Sequence, residues 1–261
     1  MALIRRIHTD SSSGVDFVEA IEKPTFSRES FAGCTGRGVR VGIIDSGVNP
    51  AHPHVGGVAG GIRVSSNEDE RASDYLDYLG HGTAVAGAIR EKAPDAALYA
   101  VKVFDRALTT NIEVIIKAID WCADNHIDVI NLSLGTVNFE HRNSIEAAVA
   151  RANKNGCVIV AAREMAGQLS LPGCLSSVVG VLANSECARD RYSVNCIDDD
   201  AVFIGSAYPR EIPGVPREHN LHGISFAVAN MTGFVARARE HAPRNSIVDL
   251  KRLLVEESKG K

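Results

Sequence analysis

The sequence predicts an α/β domain in three layers, in which a mostly parallel central sheet lies between two layers of helices. Patterns typical of buried strands alternate with helical patterns along the chain, as in βαβ units. The 261 residues are 45% hydrophobic, which is enough to bury a large core. Since no repeat or linker-like segment divides the chain, we predict a lead-in over 1–36, one domain over 37–257 and a tail over 258–261.

The elements follow from hydrophobic periodicity and from turn residues. The first strand is a β-branched run that ends at Ser46-Gly47. The helix from Ile112 places Ile115, Ile119 and Cys122 on one face. The predicted elements are a helix over 15–21, strand 39–45, helix 81–90, strand 97–104, helix 112–125, strand 129–134, helix 144–155, strands 158–162 and 178–182, and helices 225–241 and 246–257.

The composition excludes several classes of function. Lys and Arg total 28 against 32 Asp and Glu, and a net charge of -4 gives no field that would hold a nucleic-acid backbone. No apolar run reaches the roughly 20 residues of a membrane span. The N-terminal residues are not followed by an apolar core like that of a signal peptide. We therefore expect neither a nucleic-acid partner nor a membrane location.

The cysteines support a cytoplasmic location. The chain has six cysteines, and no two of them are spaced as Cys-x-x-Cys, so the sequence does not indicate a zinc or thioredoxin-type site. An even number of cysteines could pair in a secreted protein. In a chain of this length without an export sequence, reduced thiols are the better interpretation.

Three polar residues with complementary chemistry lie at element boundaries. Asp45 ends the first strand, His81 begins a helix after Gly80, and Ser225 begins the last long helix. The carboxyl ends of parallel strands are where sites assemble in such sheets. An imidazole that is oriented by a carboxylate can take the proton of a serine hydroxyl, and a helix N-terminus stabilises an oxyanion. We therefore predict that Asp45, His81 and Ser225 form a catalytic triad.

Simpler interpretations exist for each of these features. Asp45 could be a helix cap or turn residue, and Ser225 could be an N-cap.

His52 and His54 invite a metal site, although such a pair after a turn is usually solvated. Gly36-x-Gly38 precedes its strand, whereas a dinucleotide-binding motif follows one. We therefore predict no metal ion and no cofactor.

Three segments resemble the motifs of the subtilisin (subtilase) family. They are 41–48 around the aspartate, 80–87 around the histidine and 223–233 around the serine, and they occur in the order Asp, His, Ser of that family. Segments 99–103 and 128–135 are similar to its intervening strands. One such motif alone is weak, but three in order are specific. The resemblance covers about 36–257 and implies a subtilisin-like fold and serine peptidase activity on a peptide or precursor protein.

The resemblance also implies where a substrate would bind. Ser133, Leu134 and Gly135 would pair with an extended peptide as an added strand and line the pocket for the side chain before the cleaved bond. Leu108 and Thr109 would border the other side of that groove. The calcium loop that many subtilases insert in the histidine helix has no counterpart here, so we expect no calcium at that position. No folding pro-domain is recognisable before the first strand.

Departures from the family motifs concern the oxyanion side of the site. Met165 aligns with the asparagine that donates to the oxyanion in this family, and Ile224 replaces a threonine before the serine. Arg163 or Gln168 could substitute as donors, in addition to the backbone N–H of Ser225. Two further replacements are Ala84, for a second histidine, and Ala229, for a proline after the serine.

The leading hypothesis is an intracellular serine endopeptidase that processes a specific precursor or leader peptide. Met165 and Ile224 support an alternative, a pseudo-peptidase that retains the triad but only binds peptides or a partner protein. Ala229 supports a second alternative, the transfer of an acyl group to an amine in place of water.

Overall fold

The structure is a computed structural model that describes residues 31–66, 74–104, 107–243 and 245–259, so the helix predicted over 15–21 lies outside the described residues. The strands are β1 (Arg40–Asp45), β2 (Gly60–Arg63), β3 (Ala97–Lys102), β4 (Val129–Leu132), β5 (Val158–Ala162), β6 (Glu164–Met165), β7 (Gln168–Leu169), β8 (Val179–Asn184), β9 (Ser193–Ile197) and β10 (Asp200–Ser206). The helices are α1 (His81–Lys92), α2 (Ile112–Asp124), α3 (Arg142–Lys154), α4 (Ile224–His241) and α5 (Ile247–Lys259). No described helix is long and apolar enough to cross a membrane.

The main sheet confirms the predicted fold class. Its eight strands lie in the order β2-β3-β1-β4-β5-β8-β10-β9. All neighbouring strands are parallel except β9, which runs antiparallel to β10 at one edge. The chain leaves β1 toward β3 on one side and later returns to β4 on the other. This reversal of strand order at β1 opens a crevice at its carboxyl end, where Asp45 lies.

Helices cover both faces of the sheet. Along β1 the side chains alternate, with Val41 and Ile43 in the core beneath α1 and α4, and Ile44 in the core beneath α2 and α3. Gly42 allows α2 to approach closely, because a Cβ at this position would lie 3.0 Å from the Cys122 sulfur. Both cores are buried, as expected for a parallel sheet with two covered faces.

The structure contains strands that the sequence pattern did not predict. β2 is four residues long, β9 is mostly exposed at the sheet edge, β10 is only partly buried, and β6 and β7 form a two-stranded hairpin. These strands lack the continuous burial that makes a strand recognisable from sequence. The segment predicted as strand 129–134 ends at Leu132, and α5 extends two residues into the predicted tail.

The end of the predicted lead-in packs against the domain. Phe31 is buried, and the Glu240 carboxylate of α4 accepts hydrogen bonds from the backbone N–H groups of Thr35, Gly36 and Arg37 at 2.7, 2.6 and 3.0 Å. Residues 31–36 therefore contact the same helix that carries Ser225 at its start.

Candidate active site

Asp45 and His81 form a short hydrogen bond at the carboxyl end of the central strand. His81 is the first residue of α1, and its Nδ1 lies 2.7 Å from Oδ1 of Asp45. The same oxygen accepts the backbone N–H of Ser46 at 2.7 Å, and Asp45 is fully buried. A carboxylate only accepts hydrogen bonds, so Nδ1 carries the hydrogen and Nε2 is left as the basic nitrogen.

Opposing effects set the pKa of His81. Burial has the largest effect and disfavours the charged imidazolium. The hydrogen bond and charge of Asp45, together with the charge of Asp77, outweigh burial and raise the pKa above its ordinary value. His81 is therefore a stronger base than a free histidine and is suited to receive a proton from a hydroxyl.

Asp77 is a site residue that the sequence interpretation missed. Its Oδ1 accepts from the hydroxyl of Ser46 and the backbone of Gly80, both at 2.9 Å, and its Oδ2 accepts from the hydroxyl of Thr83 at 2.6 Å. It also accepts the Thr83 backbone N–H at 2.9 Å. Gly80, the N-cap residue of α1, has no side chain that could cap the helix. Asp77 therefore caps α1 from outside the usual position and fixes the helix start that carries His81.

Lys102 anchors the segment that carries Asp77. It pairs in register with Asp45 across β1 and β3, it is fully buried, and its ammonium donates to the carbonyl of Leu76 at 2.8 Å. The same ammonium lies 4.3 Å from the centre of the Tyr78 ring. A Cβ at Gly47 would lie 2.4 Å from the Tyr75 carbonyl, so this segment sits directly on the turn after Asp45. The signal available in the sequence was a lysine at the end of a buried strand, within the segment 99–103 that resembles a strand of the family.

Ser225 is the second residue of α4 and contacts the segment after β4. Its hydroxyl donates to the backbone carbonyl of Ser133 at 3.4 Å, and the Ser133 hydroxyl donates to the backbone carbonyl of Ser225 at the same distance. The ring of Phe226, the next residue, lies 5.6 Å from the ring of His81. The structure thus brings the start of α4 beside His81. Proton transfer requires the Ser225 hydroxyl to leave its hydrogen bond to the Ser133 carbonyl and to donate to His81.

A buried network of hydrogen-bonded side chains supports the contact between Ser133 and Ser225. The Asn131 amide donates to the Ser133 hydroxyl at 2.9 Å, and the Thr232 hydroxyl of α4 donates to the Asn131 oxygen at 3.0 Å. Asn131 and Thr232 are both fully buried. This network joins β4 to α4 and fixes the distance between Ser133 and Ser225.

The residues predicted to lie on the oxyanion side of the site are apolar. Met165 in β6 and Ile224 at the start of α4 are half-buried and pack against the core beneath α1 and α4. Gln168 pairs with Met165 across the hairpin and is exposed. The first N–H groups of a helix have no partner within it, so the N–H of Ser225 is a suitable oxyanion donor.

Arg163 is directed toward a different part of the molecule. Its guanidinium lies 3.5 Å from the Asp198 carboxylate, and the side chain is nearly fully buried. It lines a cavity together with Arg142 and Cys174, and neither Met165 nor Ser225 lines that cavity. The arrangement therefore assigns Arg163 to the α3 side of the sheet and gives no support to its predicted role as an oxyanion donor.

The predicted substrate-binding residues follow β4 and precede α2. Ser133 and Leu134 are buried, and Thr136 forms an antiparallel bridge with Leu171. Gly135 allows this close pairing, because a Cβ there would lie 2.4 Å from the Leu171 carbonyl. Leu108 and Thr109 are exposed on the approach to α2. Their roles in binding a peptide stay predictions.

Among the described residues, no group of three or more His, Cys, Asp or Glu side chains is arranged to hold a metal ion. His52 and His54 contact each other, with the His54 backbone N–H donating to Nδ1 of His52 at 3.2 Å and the two rings edge-on at 5.1 Å.

Comparison with known proteins connects this geometry to one family. Residues 36–261 match the model of the Subtilase family. The minor extracellular protease Epr of Bacillus subtilis (strain 168) is 36% identical over 167 residues, which are 59% of this chain and 25% of that protein. Subtilisin NAT of Bacillus subtilis subsp. natto is 34% identical over 211 residues, 77% of this chain and 53% of that protein. This chain thus spans a quarter of the first relative and about half of the second.

A solved structure supports the fold. The crystal structure of a cold adapted subtilisin-like serine proteinase superposes on the chain with a TM-score of 0.67 at 23% sequence identity. The match covers 86% of this chain and 84% of that chain. At this identity the likeness concerns the arrangement of helices and strands.

Proposed function

Because the chain belongs to the subtilase family, we propose that it is a serine endopeptidase whose triad is Asp45, His81 and Ser225. The observation that carries this proposal is the 2.7 Å hydrogen bond between Asp45 and His81 at the carboxyl end of the central strand. Ser225 lies at the start of α4, and the ring of the next residue, Phe226, contacts the His81 ring.

The geometry supports a two-step acyl transfer. Nε2 of His81 takes the hydroxyl proton of Ser225 as the oxygen attacks the peptide carbonyl carbon. Asp45 stabilises the imidazolium that forms, and the Ser225 backbone N–H faces the oxyanion. His81 then protonates the leaving amine, and a water molecule hydrolyses the acyl-enzyme with His81 again as the base.

We infer a low turnover from the apolar oxyanion side. Met165 and Ile224 carry no hydrogen-bond donor in their side chains, and Arg163 is engaged with Asp198. The removal of one side-chain donor from a subtilisin oxyanion hole lowers turnover roughly 100- to 1000-fold. A slow peptidase suits the cleavage of a small number of defined sites, so we propose that the substrate is a specific precursor or leader peptide.

We propose a reducing compartment, inside the cell, as the place of action. All six cysteines are free, and burial raises the pKa of the Cys122 thiol well above its usual value and that of Cys157 to about 11. Such thiols stay protonated and unreactive at neutral pH. A domain whose stability does not depend on disulfide bonds is suited to a compartment that keeps thiols reduced.

A fluorophosphonate probe tests the triad directly. The probe phosphonylates a serine, with loss of fluoride, only when a neighbouring base activates the hydroxyl, so we expect labelling of the folded protein at Ser225. The Ser225→Ala variant provides the control and should stay unlabelled. Failure of the folded wild-type protein to react would refute the peptidase proposal.

The pseudo-peptidase is the second candidate, supported by the Ser225 hydroxyl contact with Ser133 and the apolar pair Met165 and Ile224. It predicts that peptides bind without measurable turnover and that Ser225→Ala leaves their affinity unchanged. Mass spectrometry of the products also separates hydrolysis from acyl transfer to an amine, since transfer omits the added water.

A further inference from the structure

A cavity of about 280 Å³ lies beside the catalytic histidine, between the start of α1 and the loop that leads from β10 to α4. Gly80 and Ala84 on either side of His81 line it, as do His54, Arg210 and Leu221. This volume is below the roughly 300–1,000 Å³ of pockets for whole small molecules. The cavity is therefore of a size to receive a single side chain.

The position of the cavity relates it to one half of a substrate. Ser133, which would pair with the residues before the cleaved bond, contacts Ser225 and does not line the cavity. His81 must donate a proton to the leaving amine, so the departing half of the peptide passes close to the start of α1. The residues after the cleaved bond are thus the ones that reach Gly80, Ala84 and Leu221.

Two charged side chains line the cavity, Arg210 and Asp77. The Asp77 carboxylate is directed to the start of α1, where it accepts hydrogen bonds from Gly80 and Thr83, so Arg210 is the charged group with free hydrogen-bonding capacity. Within the described part of the chain its guanidinium makes one hydrogen bond, to the His54 carbonyl at 3.5 Å, and no ion pair. The acids nearby are already engaged, because Asp77 caps α1 and Glu211 lies 3.5 Å from Arg189. A guanidinium has five donors in a planar fork that matches a carboxylate, so most of the hydrogen-bonding capacity of Arg210 is unused.

His54 does not compete with Arg210 for this role. Burial lowers the pKa of His54, and the charges of Arg210 and His52 lower it further. His54 is therefore neutral at neutral pH, and Arg210 is the fixed positive charge. Ala84 leaves the cavity open, since its side chain is a single methyl group on the half-buried wall.

We propose that this cavity is a specificity subsite for the substrate residues that follow the cleaved bond, and that Arg210 makes it select an acidic side chain. The inference rests on the proposed peptidase function. It adds a substrate class, peptides with Asp or Glu shortly after the cleavage site.

The test is the cleavage of a proteome-derived peptide library, with the new N-termini identified by mass spectrometry. We expect Asp and Glu to be enriched at one of the positions directly after the cut, by about tenfold over the Arg210→Gln variant. Arg217→Gln is the matched control, because Arg217 lies in the same loop and stacks on Tyr208 at 4.1 Å. Ala84→Leu should remove the preference by filling the cavity while Arg210 stays in place.

A binding measurement separates this inference from the proposed function. Ser225→Ala protein is titrated with the tripeptides Ala-Glu-Ala and Ala-Gln-Ala while the His54 imidazole is followed by NMR. If only the Glu peptide binds, and its binding depends on Arg210, the subsite is supported even when the library is not cleaved. The absence of cleavage would refute the peptidase proposal and not the subsite. If wild type and Arg210→Gln show the same residue preference after the cut, the subsite is refuted and the peptidase proposal is retained.

Discussion

The two halves of the candidate active site are built with different tightness. The hydrogen bonds that Asp45 makes to His81 and Ser46 are 2.7 Å long, and Asp77 holds the start of α1 with bonds of 2.6 to 2.9 Å. The two contacts between Ser225 and Ser133 are 3.4 Å long. His81, the predicted base, is therefore held by short hydrogen bonds, whereas Ser225, the predicted nucleophile, is held by long and weak ones.

The two halves of the candidate site also differ in polarity. The charges of two carboxylates, Asp45 and Asp77, raise the pKa of His81, the predicted base, despite its burial. The residues predicted on the oxyanion side, Met165 and Ile224, are apolar and pack against the core. Under the proposed function, proton transfer would be well supported and the main barrier to catalysis would lie in stabilising the oxyanion.

The largest effect is expected from Asp45→Asn. The amide side chain can no longer favour the hydrogen on Nδ1 of His81 or stabilise the imidazolium, so turnover should fall by about 10⁴ while the backbone stays in place. The rates of peptide cleavage and of labelling by a fluorophosphonate measure the loss. Asp95→Asn, at an exposed acid remote from the site, is the control. A fall of less than tenfold would remove Asp45 from the triad.

The next largest effect is an expected gain in turnover, and it tests the predicted oxyanion side of the site. Met165→Asn places an amide donor where the family has one, and turnover should rise by roughly tenfold to a hundredfold. Met165→Leu provides the control, because it keeps the apolar volume without a donor. An unchanged turnover of Met165→Asn would show that the oxyanion already has a donor or that the β6–β7 hairpin directs this side chain elsewhere.

The sequence predicts well what local patterns determine. The strands ending at Asp45 and Ala162 are β-branched or small apolar runs, and the helices that begin at His81 and Ile224 follow glycines within recognisable motifs. These elements lie within a few residues of their predicted bounds. Burial on both faces of a parallel sheet makes such strands easy to recognise.

What the sequence does not reveal depends on contacts between distant segments. Asp77 lies four residues before His81, outside the usual capping position, and only the folded turn shows that it binds both Ser46 and Thr83. The direction of Arg163 depends on the bend between β5 and β6, in which it lies, and on the position of Asp198 in a turn with positive φ. Neither follows from spacing along the chain.

The smallest effect on activity is expected from Asp77→Asn, and its signature is a shift along the pH axis. Removal of the negative charge lowers the pKa of His81, so the neutral base is present at lower pH and the acidic limb of kcat against pH moves down. Loss of the helix cap should also reduce the free energy of unfolding by about 1 kcal/mol. Asp74→Asn is the matched control, since this acid lies in the same segment but contacts Lys102.

The stability of the same variant at different pH values provides an independent check. A raised folded-state pKa means that protonated His81 stabilises the fold fully below the unfolded pKa of about 6.5, and that this contribution is lost as pH rises through the folded pKa. In Asp77→Asn the folded pKa is lower, so the deficit relative to wild type should be larger in acid than above that range. Urea unfolding at several pH values measures it. A deficit independent of pH would mean that Asp77 acts on α1 only as a cap, without setting the charge of the base.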